Sequence, residues 1–190
     1  AQLERIHHES LRLSGLISDM LELSGLERKN RDEVIKNEVY LCAVAKEVLS
    51  ELSPKLSEKN LTYTVSGSGS VKADPKQMYE LVENIVSNAV NYNKENGKIT
   101  VTVTESENSV TLETVDTGIG IAKEHLPRLC ERFYRVDKSH SKKTGGTGLG
   151  LAIVKHICIL NGATLNIESE LGIGTTVTVK FNTADRETMS

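Results

Sequence analysis

Between Lys98 and Val115 the chain reads as two short strands that fold back on each other, and this pair limits the folds open to it. Ile99, Val101 and Val103 alternate with threonines, Val110 and Leu112 lead to Val115, and Glu105–Ser109 makes the hairpin between the two runs. An alternating strand has one face for a core and one for water, so helices must cover the apolar face. The rest of the sequence supplies them. Asp74-Pro75 is a helix start, with aspartate at the cap and proline at the first helical position. Met78, Leu81, Val82, Ile85, Val86 and Ala89 follow at helical spacing until the turn residues of Tyr92–Gly97. Upstream, Val39–Leu41 reads as a strand, residues 42–58 as a helix with Pro54 near a bend, Leu61–Val65 as a strand and Gly67–Ser70 as a turn. Downstream, a helix at about 148–161 ends at Asn161-Gly162, and strands 163–169 and 175–181 flank a Gly172-x-Gly174 turn. Strands and helices do not alternate strictly, which argues against a doubly wound sheet. The pattern predicts an α+β fold, a mixed and mainly antiparallel sheet with helices on one face.

The chain divides into four segments. In residues 1–28, Leu3, Ile6, Ser10, Leu13, Ile17, Met20 and Ser24 recur at spacings of three and four, and Leu16 and Leu23 widen that seam into a stripe. One helix cannot bury its own stripe, so it needs another helix of a parent protein or a second copy of the chain. Residues 29–38 are charged and aperiodic and read as a linker, 39–182 as the folded domain, and 183–190 as a frayed polar tail. A net charge of -3 speaks against a general nucleic-acid or membrane-surface binder. No apolar run approaches the roughly 18 residues that span a bilayer. A membrane anchor is expected only upstream, since the sequence opens without methionine and inside a helical pattern. Cys42, Cys130 and Cys158 are scattered, without a Cys-x-x-Cys pair, and read as buried reduced thiols of a cytosolic compartment.

Three pieces carry chemistry. Asn84 and Asn88, four apart, share one face of the long helix, and an amide oxygen suits Mg²⁺, a hard cation that also keeps waters and phosphate oxygens. Asp116-Thr117-Gly118-Ile119-Gly120-Ile121 follows a strand directly. Its glycines permit close approach of a ligand, and a buried carboxylate there accepts from an adenine amino group but rejects the oxygen guanine presents. Gly145-Gly146-Thr147-Gly148-Leu149-Gly150-Leu151 opens a helix, and clustered N–H groups at a helix start make a phosphate cradle. It is neither a P-loop nor G-x-G-x-x-G, because the required lysine and third glycine are missing. Taken singly, each piece also has a plain structural reading: a local asparagine pair, a strand-ending turn, a hinge.

In their order, Asn84…Asn88, Asp116-x-Gly118-x-Gly120, Phe133-Tyr134 and Gly146-x-Gly148-x-Gly150 resemble the N, G1, F and G2 boxes of two-component sensor histidine kinases. The resemblance is tight over residues 74–182. It implies the two-layer α/β sandwich of the ATPase group that also includes gyrase and heat-shock chaperones, preceded by a long bundle-type helix. Asn84 and Asn88 would then hold Mg²⁺ and phosphates, with Asn84 as the metal ligand. Tyr92 would lie along adenine, Asp116 would read its amine, and Gly118, Gly120 and Ile121 would shape the pocket wall. Residues 121–146 would form a lid anchored by Phe133. Gly146, Thr147, Gly148, Leu149 and Gly150 would sit by the phosphates, and Arg135, helped by Arg132 or Lys138, would neutralise transferring charge. Glu80, one turn before Asn84, stands near where hydrolysing relatives keep a glutamate that activates water, although an ordinary surface glutamate is the simpler reading. Many members carry a lysine before the tyrosine of the N box, where this chain has Asn91; Lys138, Lys142 or Lys143 could compensate, although a solvated charge run at Ser139–Lys143 is the simpler reading.

The resemblance implies transfer of phosphate from ATP to a histidine and then to the aspartate of a response regulator, in a homodimer joined by a helical hairpin and forming the cytoplasmic portion of a membrane sensor. Yet none of His7, His8, His125, His140 and His156 fits as the acceptor. His8-Glu9 echoes the acceptor box, but Arg12 is four residues on and no proline follows. The run from Glu9 to Ser24 reads instead as the second helix of the hairpin, so the acceptor is expected outside the chain. Two other readings stay open: a nucleotide-gated interaction module without transfer, and a serine kinase of the anti-sigma type.

Overall fold

The computed structural model describes residues 2–28, 36–136 and 147–183. Its elements are α1 (Gln2–Arg28), β1 (Asn37–Tyr40), α2 (Leu41–Glu51), α3 (Ser53–Glu58), β2 (Thr62–Ser68), β3 (Ser70–Ala73), α4 (Pro75–Asn91), β4 (Lys98–Ser106), β5 (Ser109–Asp116), a 3-10 helix (Lys123–Arg128), α5 (Gly150–Leu160), β6 (Ala163–Glu170) and β7 (Gly174–Asn182). Five strands form one sheet in the order β2-β4-β5-β7-β6, with β2 parallel to β4 and the other neighbours antiparallel. Strands β1 and β3 make a separate antiparallel pair.

Alternation decides which face of the sheet is covered. Ile99, Val101, Val103, Val110, Leu112, Val179 and Phe181 point inward and are buried, while Thr104, Glu113, Glu168 and Lys180 face outward and are exposed. Helices α2, α4 and α5 close over the inner face with Leu41, Val48 and Leu49, Met78, Leu81 and Ile85, and Ile153 and Ile157, all 2% exposed or less. Burying one such side chain contributes roughly 1.5–3 kcal/mol, so packing rather than intrinsic propensity holds these helices in place. At the start of α4 the Asp74 carboxylate accepts from the Lys76 N–H at 2.9 Å, the cap read from Asp74-Pro75. At its end the Lys59 ammonium donates to the carbonyls of Val90 (2.9 Å) and Asn91 (2.6 Å), where the helix dipole is negative. This is the α+β two-layer sandwich expected.

Several local readings change. Leu41 begins α2 rather than ending a strand, and Asn37 and Glu38, read as linker, pair in β1. Pro54 does more than bend a helix: its ring suits a helix start, and the segment breaks at Leu52 into α2 and α3. The expected turn at Gly67–Ser70 is the end of β2 and the start of β3, which pairs with β1. The last helix starts at Gly150, not 148.

Helix α1 shows a division that the heptad pattern hid. Leu23 and Leu26 are buried and Leu16 is packed against the core, whereas Leu13, Ile17 and Met20 are more than half exposed. The stripe is therefore two faces. One lies on α5, and the other, at 13, 17 and 20, is left to water. No helix among the described residues is long and apolar enough to cross a membrane. Cys158 is buried as expected, but Cys42 and Cys130 are only half-buried.

Candidate functional site

The register of the sheet sets up one end of the site. Asp116 pairs with Ile99 and with Thr175, so it shares the inward face one step beyond the last apolar rung of the core. Its carboxylate accepts from the Gly118 N–H at 2.7 Å. Burial pushes this carboxyl above its ordinary range, and backbone hydrogen bonds from Gly118 and Thr175, with the Lys94 charge nearby, oppose the rise. The turn after it folds onto the end of α4: Ile119 N–H donates to the Tyr92 carbonyl at 3.1 Å. A methyl group on Gly118 would overlap that carbonyl, so the close approach needs glycine. Tyr92 caps α4 with its ring more than a third exposed. Gly120 lies against the Glu170 carbonyl, and Ile121 N–H donates to Ser169 Oγ at 2.8 Å.

The other end lies where α4 meets the start of α5. Asn84 donates its amide nitrogen to the Glu80 carbonyl at 2.9 Å, which turns Oδ1 outward toward Gly150. Any side chain at Gly150 would overlap that oxygen. The arrangement leaves a neutral oxygen beside the first N–H groups of a helix. That donor set fits a magnesium ion taking most of its ligands from phosphate and water. Asn88 is half-buried one turn further along the same face. Gly148, with φ of +76, packs on the Phe133 backbone and the Arg135 side chain, and its carbonyl accepts from Phe133 N–H at 2.9 Å. Thr147 donates its hydroxyl to Asp19 of α1 at 2.6 Å. Arg132 pairs with Glu27 of the same helix.

The segment expected as a lid opens in a folded knot. His125 Nδ1 lies 2.7 Å from the Tyr134 hydroxyl, the Arg128 guanidinium stacks 4.1 Å from the Tyr134 ring centre, and Leu129 is buried. Phe133 has φ of +62 and its ring is more than half exposed, so its backbone rather than its ring makes the anchoring contact with Gly148. Leu149 needs a similar correction: its side chain is wholly buried in the core, and only its backbone, which donates to Thr147 Oγ1 at 3.3 Å, borders the site. Glu80 is not a solvated surface residue either. It is half-buried in the cleft between α1 and α4. Gly146, Lys138, Lys142, Lys143 and His140 lie outside the described residues, as does the side chain of His8.

The structure thus brings Asp116, Gly118, Gly120, Ile121 and Tyr92 together at one end, and Asn84, Thr147, Gly148, Gly150, Phe133 and Arg135 at the other. Sequence reasoning missed Asp19, Glu27, Ser169 and Thr175. A signal existed for the first two, because Asp19 and Glu27 share the helical face of Leu16 and Leu23.

Known proteins share this fold. Residues 73–185 match the family described as histidine kinase-, DNA gyrase B- and HSP90-like ATPases. A sensor histidine kinase of Synechocystis, RppB, is 36% identical over 186 residues, which cover 94% of this chain and 40% of that protein. The chain thus spans about two fifths of that relative's length. Among solved structures, full-length ShkA in complex with AMPPNP superposes with a TM-score of 0.76 at 27% identity, covering 90% of this chain and 36% of that one. Histidine kinase ThkA in complex with response regulator protein TrrA superposes with a TM-score of 0.75 at 20% identity, covering 98% and 52%, a likeness of fold.

Proposed function

The chain belongs to the histidine kinase-, DNA gyrase B- and HSP90-like ATPase family, and on that premise we propose that it binds Mg-ATP and transfers the γ-phosphoryl group to a histidine of a sensor kinase, for relay to the aspartate of a response regulator. The observation that carries this reading is the pairing of two unlike ends: a half-buried acceptor at Asp116 and an amide oxygen at Asn84 facing the start of α5. Asp116 would accept from the adenine amine, and a base presenting an oxygen there would leave two acceptors face to face. Tyr92 would cover the base. The N–H groups at the start of α5 would hold the phosphates, with Asn84 and Asn88 on the magnesium side. Asn84 and Asn88 would hold a magnesium ion there, which would supply positive charge against the phosphates. Arg135, whose side chain lies against Gly148, would share that task.

The acceptor histidine is not one of the five in this chain. His125 is engaged with Tyr134, and His156 is half-buried in α5. The exposed face of α1 at Leu13, Ile17 and Met20 supports a helical hairpin that pairs with a second copy. The response regulator as partner follows the ThkA–TrrA complex. A membrane sensor whose cytoplasmic portion this is accords with the sensor kinase likeness. The test is incubation with Mg²⁺ and γ-labelled ATP, alone and with a separate hairpin that carries the acceptor histidine. We expect acid-labile phosphate on the added hairpin and none on this chain. Label on His8, or ATP bound without any transfer, contradicts the proposal. Hydrolysis without the hairpin that is lost in Glu80→Gln would make Glu80 a water-activating base.

A further inference from the structure

Ser169 sits at a junction that none of the motif residues explains. It is the last inward-facing residue of β6, one short of the strand end, on the polar rim of the sheet where Asp116 pairs with Thr175 and Thr175 with Ser169. Its hydroxyl has three partners. It donates to the Gly174 carbonyl at 2.8 Å, accepts from Ile121 N–H at 2.8 Å, and lies 2.9 Å from Thr175 Oγ1. A hydroxyl has one proton to give and two lone pairs to receive with. Since the Ser169 proton is on Gly174, the proton between the two hydroxyls comes from Thr175, and Ser169 is saturated.

Two consequences follow from that proton count. The Thr175 hydroxyl is turned away from the cleft as a donor, so it offers only lone pairs there, next to a carboxylate that Thr175 itself steadies through its backbone N–H. The same serine fixes Ile121, the first residue after the glycine turn, to the β6–β7 connection. That connection is tied further by Gly172 N–H to the Ile119 carbonyl at 2.7 Å and by Lys94 to the Gly172 carbonyl. We infer that Ser169 is a positioning residue for base recognition: it keeps the Thr175 hydroxyl an acceptor beside the Asp116 carboxylate and holds Ile121, just after the glycine turn, against the β6–β7 connection. The inference rests on the ATP reading above. Without Ser169 the Thr175 hydroxyl can rotate and present its proton, the donor that an oxygen-bearing purine requires.

The experiment is calorimetric titration of Mg-ATP and Mg-GTP into the full chain and its Ser169→Ala and Ser169→Thr variants, with amide hydrogen exchange read at Ile121. The expected result is a preference for ATP that narrows by roughly tenfold in Ser169→Ala, in keeping with one lost hydrogen-bond orientation. Exchange at Ile121 should quicken, and Ser169→Thr, which keeps the hydroxyl, should restore both. An unchanged ratio, or equal losses for both nucleotides, overturns the inference while leaving the ATP reading intact. A parent chain that binds neither nucleotide overturns the ATP reading and this inference with it. Should Ser169→Ala fail to fold, Ser169→Cys, close in size and weak in hydrogen bonding, carries the same comparison.

Discussion

The two ends of the cleft are built in different ways. The end assigned to the base is made within the sheet: Asp116, Ser169 and Thr175 are set by strand register, and their hydrogen bonds close among β5, β6, β7 and the glycine turn that follows Asp116. The end assigned to the phosphates is shared. Asn84 and Gly150 come from the domain, but Thr147 is held by Asp19 and Arg132 by Glu27, both on α1. Arg132 and Thr147 lie on either side of residues 137–146 in the sequence, and α1 holds both. Base recognition is thus fixed by the fold, whereas the phosphate end depends on where the helix lies.

The largest expected effect strikes the base end. In Asp116→Asn the amide oxygen stays on the Gly118 N–H, so an NH₂ group faces the adenine amine, and ATP affinity should fall roughly fiftyfold by titration. Stability should move the other way. A carboxyl raised by burial favours the folded state only while protonated, and at neutral pH the ionised group is a cost, so the melting temperature of the variant should hold or rise. A large drop in melting temperature would mean that Asp116 is part of the scaffold rather than the reader. Gly150→Ala attacks the other end. Its methyl group would displace Asn84 Oδ1, and Mg-ATP should weaken by about tenfold while adenosine binds as before.

Smaller effects belong to the scaffold common to both ends. Lys59→Ala exposes carbonyls at the end of α4 and should cost about 1 kcal/mol in denaturant unfolding without altering the preference for ATP over GTP. Smallest is a pH effect at Tyr79, whose hydroxyl donates to Glu51 of α2 at 2.5 Å and whose pKa is pushed up to about 12, first by that hydrogen bond. A raised folded value means a contribution present below the ordinary tyrosine value and lost as pH rises toward about 12. In Tyr79→Phe that part of the alkaline slope should vanish.

What could be read beforehand follows the same division. The base end is local in sequence: a strand, a carboxylate and spaced glycines announce it. The helices followed from their apolar periods, and α4 from its cap. The short strand β3 hid because Ser70-Val71-Lys72-Ala73 follows two glycines and is too brief to alternate. Ser169 gave no sign, being one rung of an alternating strand 48 residues from the amide it holds. Asp19 lies 128 residues from Thr147, and a heptad count treats it as a polar position on a helix whose partner is unknown. Its place on the face of Leu16 and Leu23 is readable, and the contact of α1 with α5 brings that face to the site.

The measurement that bears most directly on a fixed base end and a shared phosphate end is a paired titration of adenosine and Mg-ATP into the parent chain and Asp19→Asn. An asparagine oxygen still accepts from Thr147, while the substitution removes a negative charge from the place the triphosphate would approach. The expected result is adenosine affinity unchanged and ATP affinity higher by about three- to tenfold. Equal shifts for the two ligands, or weaker ATP binding in the variant, would contradict the division.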